Sequence, residues 1–126
     1  LNSLFHRESG GNPAAISEKG ARGLGQLMPS SFPQYSVADL HEPHKNIDLS
    51  GGYMEQLTKK YKGDKKKAIV AYNWGQGNLD KFLDKYGDNW ETPLRVKLPK
   101  VWRFMRDVLH GESDTTIPDY MKRYGR

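Results

Sequence analysis

Glu8 lies on the apolar side of a short predicted helix. It completes the i, i+3, i+4, i+7 stripe formed by Leu1, Leu4 and Phe5, so its side chain should point toward the buried surface. Burial disfavours the ionised form of a carboxylate, and so does the negative end of a helix dipole if the helix ends at Gly10-Gly11. Both effects raise the pKa of Glu8, and a carboxylic acid that stays protonated near neutral pH can act as general acid in cleavage of a glycosidic bond. From the stripe alone, a surface carboxylate on a frayed helix end is an equally good interpretation.

The elements that must position this carboxylate are helices. Period-two alternation of apolar residues is nowhere sustained, whereas helical spacing recurs along the chain. The predicted helices after the first cover residues 46–61, 64–72, 79–86 and 99–111. The sequence therefore predicts a mainly α fold.

The connections between these helices are predicted as loops. Residues 10–23 are rich in Gly, Asn, Pro and Ala and form a long loop that we expect to be functional. Residues 24–28 give one short apolar turn before Pro29, and Ser30-Ser31 could cap a further short segment that carries Phe32. The remaining predicted irregular segments are 33–45, 87–98 and a tail formed by the last fifteen residues.

Length and composition indicate a single globular domain. The chain has 126 residues, 36% of them hydrophobic and 28% charged, and it contains no run of eighteen apolar residues that could span a bilayer. The lack of cysteine excludes disulfides and thiol catalysis. Because the chain opens at Leu1 with no basic and apolar leader, we expect it to be a piece of a longer polypeptide or part of a larger assembly.

The net charge of +5 predicts attraction to an acidic polymer, which could be nucleic acid, anionic lipid or the bacterial cell wall. A nucleic-acid partner is disfavoured because neither an aromatic RNA-binding block nor zinc-finger spacing is present. The densest run of lysines, residues 59–67, surrounds Gly63-Asp64 and is interpreted as solvated residues of a turn between two helices.

Three sequence blocks, in order, carry a family resemblance: ESGGNPAAISEKGARGLGQLMP at 8–29, NIDLSGGYMEQL at 46–57 and AYNWGQG at 71–77. They resemble the active-site segment, the N-I-x-x-G-x-x-Y-[LM] helix and the A-Y-N-x-G-x-G segment of the soluble lytic transglycosylase (SLT) family, which is related in fold to goose-type lysozyme. The resemblance covers residues 1–86 well and 96–110 weakly. It implies a lysozyme-like catalytic domain over 1–110 and a C-terminal tail over 111–126.

The resemblance also implies a set of site residues. Glu8 would be the single catalytic acid/base, and Tyr72 would lie near it, where its hydroxyl could orient the carboxyl group; core packing is the alternative for Tyr72. Asn73 could bind the acetamido group of the substrate. The residues implied to line the cleft are Ser17, Gly23, Gln26 and Met28. For glycines in this loop a packing role is the alternative.

The activity that the family implies is a polysaccharide lyase reaction on peptidoglycan glycan strands. Glu8 would protonate the oxygen that links MurNAc to GlcNAc, then remove the proton of the C6 hydroxyl, so that a 1,6-anhydro ring forms without water. No cofactor and no metal are implied, and the enzyme would work in the bacterial envelope or in a phage virion. Two alternatives stay open, a goose-lysozyme-like hydrolase and a non-catalytic peptidoglycan-binding relative. The candidate second carboxylates for hydrolysis are Glu18, Asp39, Glu42 and Asp48.

One departure from the family concerns the last helix. Many members carry Glu-Thr followed by Tyr after a Leu-Pro pair, whereas Leu98-Pro99 is followed here by 100–102, Lys-Val-Trp, and Glu91-Thr92 stands upstream. This leaves the far side of the cleft undefined. The tryptophans, which could stack on sugars but are more often core residues, are Trp74, Trp90 and Trp102.

A metal site at His41 and His44 is disfavoured. Pro43 interrupts any helix that would put both rings on one face, and no cysteine or remote paired histidine completes a tetrahedral set. We therefore interpret this segment as a polar loop.

Overall fold

The computed structural model describes residues 1–124, and they are mainly α-helical, which confirms the predicted fold class. Outside the helices, two isolated antiparallel bridges join Ile16 to Arg22 and Arg22 to Leu27. The described residues contain no β-strand beyond these single-residue bridges. The helices are α1 (Asn2–Ser9), α2 (Val37–His41), α3 (Pro43–Lys60), α4 (Lys65–Trp74), α5 (Gln76–Tyr86), α6 (Glu91–Lys97), α7 (Pro99–Gly111) and α8 (Tyr120–Tyr124), with 3₁₀ turns at Pro29–Ser31 and Gly87–Asn89.

Local sequence explains where the predicted helices begin and end. Helix α1 stops because Gly10 adopts a left-handed conformation, φ 63°, and its N–H donates to the His6 carbonyl. Asp64 caps α4, since its carboxylate accepts the backbone N–H of Lys67 at 3.2 Å. The lysine-rich segment at 59–67 thus contains the turn between α3 and α4 that we predicted.

Two predicted loops contain helices. Within 33–45, Ser36 and Asp39 form a reciprocal capping box that starts α2, and Pro43 begins α3 three residues before the predicted start. Proline suits this position because the first helical residue needs no N–H. Within 87–98, a 3₁₀ turn is followed by α6. The predicted cap at Ser30-Ser31 is also wrong, since both serines lie inside the 3₁₀ turn that begins at Pro29.

Contacts within the described chain divide it into two units. The first consists of Leu1–Gly52 and the C-terminal segment from Gly111, and the second consists of Tyr53–His110. The buried cluster of the first unit contains Phe5, Leu24, Ile47 and Tyr120, packed against partly buried Leu1, Ile117, Met121 and Tyr124. The segment predicted as a tail is therefore folded against α1, although Gly125 and Arg126 at its end lie outside the described residues.

In the second unit, α4 packs along α5, and α6 and α7 follow. Its most buried residues are Leu57, Ala68, Val70, Ala71, Leu79 and Leu94. The basic run is largely ion-paired rather than free: Lys59 with Glu55, Lys60 with Asp80, Lys66 with Glu91 and Lys67 with Asp64. No helix in residues 1–124 combines the length and apolar character that a membrane crossing needs.

Candidate active site

Glu8 lies in the last turn of α1, as predicted, and its side chain is half-buried. On the same helix Leu4 and Phe5 are fully buried, so the predicted stripe faces the core and Glu8 lies where that stripe reaches the surface. Gly10 and Gly11 both have positive φ and turn the chain away immediately after it. This placement gives a carboxyl group that is partly shielded yet accessible to a ligand.

The loop that follows is cross-braced by its own backbone. Arg22 and Leu27 exchange two backbone hydrogen bonds of 2.9 and 3.0 Å, and the N–H of Gly23 donates to the carbonyl of Ala15 at 2.9 Å. The backbone N–H of Ser17 donates to the Ala21 carbonyl at 3.0 Å, and the Ser17 Oγ accepts the N–H of Ala21 at 2.9 Å. Since the Ser17 oxygen is engaged as acceptor, its hydroxyl hydrogen is the part that can serve a ligand.

Gln26 combines a strained backbone with an internally bound side chain. Its φ of 53° is left-handed, which costs a residue with a Cβ about 1–2 kcal/mol. The side-chain Nε2 donates to the carbonyls of Gly23 at 2.9 Å and Ala15 at 3.3 Å. Both amide hydrogens are thereby used, and the side-chain carbonyl oxygen is the group that can accept a hydrogen bond from substrate. Strain of this kind is commonly found at binding sites.

Asn46 organises the loop, and the sequence analysis did not single it out. It is 0% exposed, and its Nδ2 donates to the carbonyls of Leu40 at 2.7 Å and Arg22 at 3.1 Å. Its Oδ1 accepts the N–H of Gly25 at 2.8 Å and the hydroxyl of Ser50 at 3.0 Å. All four hydrogen-bonding positions of the amide are satisfied. The sequence did contain a signal for its burial. Asn46 begins the second family block and shares one face of α3 with Ser50 and Leu57, both of which are buried.

Apolar side chains are exposed on the same loop. Met28 is 37% exposed, just before the 3₁₀ turn, and Ile16 is 58% exposed. Ile16 and Leu27 both pair with Arg22 through backbone bridges, so the stretch beside Ser17 runs next to the stretch that leads to Met28. Sequence reasoning missed Ile16, because an isolated apolar residue in a loop gives no periodic signal.

Tyr72 and Asn73 lie in the second unit, in the last turn of α4. The Tyr72 ring is partly buried, with its centroid 5.4 Å from that of Tyr53, so aromatic packing accounts for part of its role. Asn73 is exposed, and α4 ends immediately after Trp74, at Gly75 with φ 106°. The predicted nearness of Tyr72 to Glu8 stays a prediction.

Two of the four candidate second carboxylates are engaged in helix starts. Asp39 accepts the Lys45 ammonium at 2.6 Å, and this hydrogen bond, with those from Ser36, lowers the pKa of Asp39. Glu42 accepts the backbone N–H groups of Lys45 at 2.8 Å and His44 at 3.2 Å, and these bonds lower its pKa. Both are therefore held as anions by local structure. Glu18 and Asp48 are exposed.

His41 and the tryptophans have structural contacts, whereas the buried His44 Nδ1 has no hydrogen-bond partner among the described residues. His41 Nδ1 lies 2.9 Å from the Pro13 carbonyl, and residues 1–124 contain no group of three or more side chains able to hold a metal ion. Trp90 is buried, and Trp74 packs edge-on against Phe82. Two guanidinium groups lie near the Trp102 ring, that of Arg95 at 4.7 Å and that of Arg106 at 5.3 Å from the ring centroid.

The fold is mainly helical, and its first helix carries a half-buried glutamate in the last turn. A braced glycine-rich loop follows that helix. The chain belongs to the Transglycosylase SLT domain family, whose model matches residues 1–92. The transglycosylase of Enterobacteria phage PRD1 is 37% identical over 114 residues, which cover 90% of this chain and 39% of that protein. The membrane-bound lytic murein transglycosylase E of Buchnera aphidicola is 34% identical over 83 residues, which cover 57% of this chain and 38% of that protein.

A solved structure confirms the lysozyme-like fold class. It is the X-ray structure of an inactive Glu-to-Gln variant of the lytic transglycosylase Slt from Pseudomonas aeruginosa, with a TM-score of 0.74 and 23% identity. The likeness covers 94% of this chain and 22% of that one. The chain thus spans well under half the length of each of these relatives.

Proposed function

We propose that this chain is the catalytic domain of a peptidoglycan lytic transglycosylase. It would cleave the β-1,4 bond between MurNAc and GlcNAc and leave 1,6-anhydroMurNAc ends. Family membership over residues 1–92 supports this reaction class. Glu8 is assigned as the catalytic acid because it is half-buried in the last turn of α1, next to the braced loop.

In this proposal Glu8 acts twice. It first donates its proton to the glycosidic oxygen, so that the GlcNAc leaving group departs as an alcohol. As a carboxylate it then removes the proton of the C6 hydroxyl, whose oxygen bonds to C1 of MurNAc. Proton donation and removal balance, so the glutamate is regenerated and no water is consumed.

The engagement of other carboxylates supports a single-carboxylate mechanism over hydrolysis. A hydrolase of ordinary type needs a second carboxylate to activate water or to attack the sugar. The carboxylate oxygens of Asp39 and Glu42 already accept hydrogen bonds from an ammonium or from backbone N–H groups at helix starts, which leaves them less available to a water or a sugar. The goose-lysozyme-like alternative would then depend on Glu18 or Asp48.

Substrate contacts follow from the groups that the loop leaves available. The Ser17 hydroxyl hydrogen and the Gln26 carbonyl oxygen would contact the sugar at the scissile bond, and Met28 would border the next sugar. Gly23 would contribute backbone to the cleft wall, since its lack of a side chain lets the loop lie against Asn46. The family resemblance gives Tyr72 the role of orienting the catalytic carboxyl and Asn73 that of binding the acetamido group, and both roles stay proposals.

The decisive experiment compares Glu8→Gln with the parent on purified peptidoglycan sacculi. We expect the variant to lose cleavage by roughly 10²–10⁴-fold, the usual contribution of a general acid. Glu18→Gln is the matched control, because Glu18 is an exposed carboxylate ten residues further on, and it should retain activity. Equal activity in the parent and Glu8→Gln would show that the acid assignment is wrong.

Mass analysis of the products separates the alternatives. Anhydro ends lack the elements of one water and resist borohydride reduction, whereas a hydrolase yields reducible ends. A parent protein that binds sacculi but releases nothing would be the non-catalytic relative. The similarity to both a phage and a bacterial transglycosylase supports a place in a phage virion or a bacterial envelope, as part of a longer protein.

A further inference from the structure

The C-terminal segment, residues 111–124, lies outside the family match and contacts both ends of the helix that carries Glu8. We propose that it is a clasp that sets the position of the Glu8 turn, with Tyr120 as its positioning residue. This rests on the proposed catalytic role of Glu8.

The first step concerns the end of α1 next to Glu8. Tyr120 is 3% exposed, and its hydroxyl lies 2.8 Å from His6 Nδ1 and 3.5 Å from the Gly10 carbonyl. The two rings meet edge to edge at this hydroxyl, with centroids 6.1 Å apart and planes 19° from parallel. Tyr120 therefore contacts the helix one turn before its stop and at the stop itself.

The second step is the contact with Gly11. A Cβ at this position would lie 2.7 Å from the Tyr120 hydroxyl oxygen and closer still to the ring, so the phenol packs directly on the backbone. Gly11 has φ +79°, which glycine adopts without strain. The path that leads from Glu8 into the braced loop is therefore fixed by the aromatic ring beneath it.

The third step is the start of α1. Asn2 Nδ2 donates to Asp119 at 3.0 Å, and Asn2 Oδ1 accepts the N–H of Met121 at 3.0 Å. The segment that leads into α8 is held at its other end as well, since Gly111 packs against Ser3. The clasp thus binds the first turn of α1 through hydrogen bonds and the last turn through Tyr120.

The physical reason for a clasp is the length of α1. A helix of eight residues is marginal in isolation, and its last turn frays first. Glu8 lies in that turn. In the proposed reaction its carboxyl group must come within hydrogen-bonding distance first of the glycosidic oxygen and then of the C6 hydroxyl. Contacts that prevent fraying at Gly10 and Gly11 therefore act on the catalytic geometry.

Tyr120→Phe tests the proposal, because it keeps the ring on Gly11 and removes only the hydroxyl. With a soluble glycan strand as substrate, we expect kcat to fall roughly five- to tenfold with KM within twofold, because the hydrogen bond that restrains the Glu8 turn is lost while the substrate contacts are kept. Hydrogen exchange of the Gly10 and Gly11 amides should accelerate by a similar factor. Tyr124→Phe is the control in the same short helix and the same cluster, and should match the parent in both measurements.

Three outcomes overturn the clasp. The first is unchanged kcat and amide exchange in Tyr120→Phe. The second is an equal loss in Tyr124→Phe, which would indicate general loosening of the cluster. The third is a loss confined to KM. If the parent itself does not cleave glycan, the proposed function fails, and amide exchange at Gly10 and Gly11 still decides whether Tyr120 restrains the turn.

Discussion

Gly23 and Asn46 approach so closely that a methyl group on residue 23 would lie 2.5 Å from Asn46 Nδ2. The same methyl group would overlap the Leu40 carbonyl oxygen, and the φ of Gly23 is +75°. The glycine therefore has both a conformational and a steric reason to be there. Because residue 23 has no side chain, the loop that carries Gln26 can lie directly against the Asn46 side-chain amide, which makes hydrogen bonds to the loop backbone.

Gly23→Ala should be strongly destabilising. The left-handed backbone and the overlap with packed atoms together predict a loss of roughly 2–4 kcal/mol in the free energy of unfolding. Gly52→Ala is the matched control, because Gly52 is in the interior of α3 with open space around it, and it should gain about 0.5–1 kcal/mol. Urea unfolding measures both changes. A midpoint for Gly23→Ala equal to that of the parent would contradict the packing described.

Asn46→Ala should be destabilising through the groups it leaves behind. The substitution would break buried hydrogen bonds to the Gly25 N–H and the Leu40 carbonyl, which predicts a loss of roughly 3–5 kcal/mol. Ser50→Ala removes only one donor to Asn46 and should cost about 1 kcal/mol. Equal losses for the two variants, measured by chemical unfolding, would mean that Asn46 is not the centre of the network.

The parts of the fold that the sequence predicted are those with local causes. The end of α1 depends on Gly10, and the start of α4 depends on Asp64, two residues whose conformational preferences act within one turn. Helices α3, α5 and α7 are long enough to show a period, and their existence was predicted, although α3 and α5 each begin three residues before the predicted start.

The missed helices are short. Helix α2 has five residues and α6 has seven, fewer than a periodic pattern needs. The capping box of α2 uses Asp39 where the usual signature has Glu or Gln. In α6, Pro93 occupies the first turn, where its missing N–H costs nothing.

The missed site features depend on distant contacts. Tyr120 meets His6 across 114 positions of sequence, and no local pattern in the last fifteen residues encodes that contact. Asn46 is polar at a position that faces inward, so an argument from hydrophobic periodicity passes over it. The residue types of the site were available from the family blocks, while the network that holds them required coordinates.

Acid should weaken the protein partly through Asp80. The Lys60 ammonium at 2.7 Å and the Tyr61 hydroxyl at 2.8 Å, in that order, lower the pKa of Asp80. Because the unfolded chain binds this proton more tightly, the stabilisation is present above about pH 4 and is lost as the pH falls through the lowered pKa.

Asp80→Asn should therefore reduce the free energy of unfolding at pH 6 and have a smaller effect at pH 2.5. The loss at pH 6 should stay below about 1 kcal/mol, because both charged side chains are roughly 40% exposed. Asp84→Asn serves as control, since Asp84 is exposed on the same helix and makes no ion pair with the described residues. Urea unfolding at the two pH values gives the comparison, and an effect of Asp80→Asn that does not depend on pH would contradict the assignment.

His41 should act as a hydrogen-bond donor to the loop rather than as a metal ligand. Its Nδ1 lies 2.9 Å from the Pro13 carbonyl, so Nδ1 carries the proton and ties the end of α2 to the loop that contains Ser17. His41→Leu should cost about 1 kcal/mol, whereas His41→Asn keeps an N–H near the same place and should cost less than half of that. Thermal unfolding with and without a chelator tests both interpretations. A melting temperature of the parent that falls on chelation, or equal losses in the two variants, would favour a metal ligand or simple packing over the hydrogen bond.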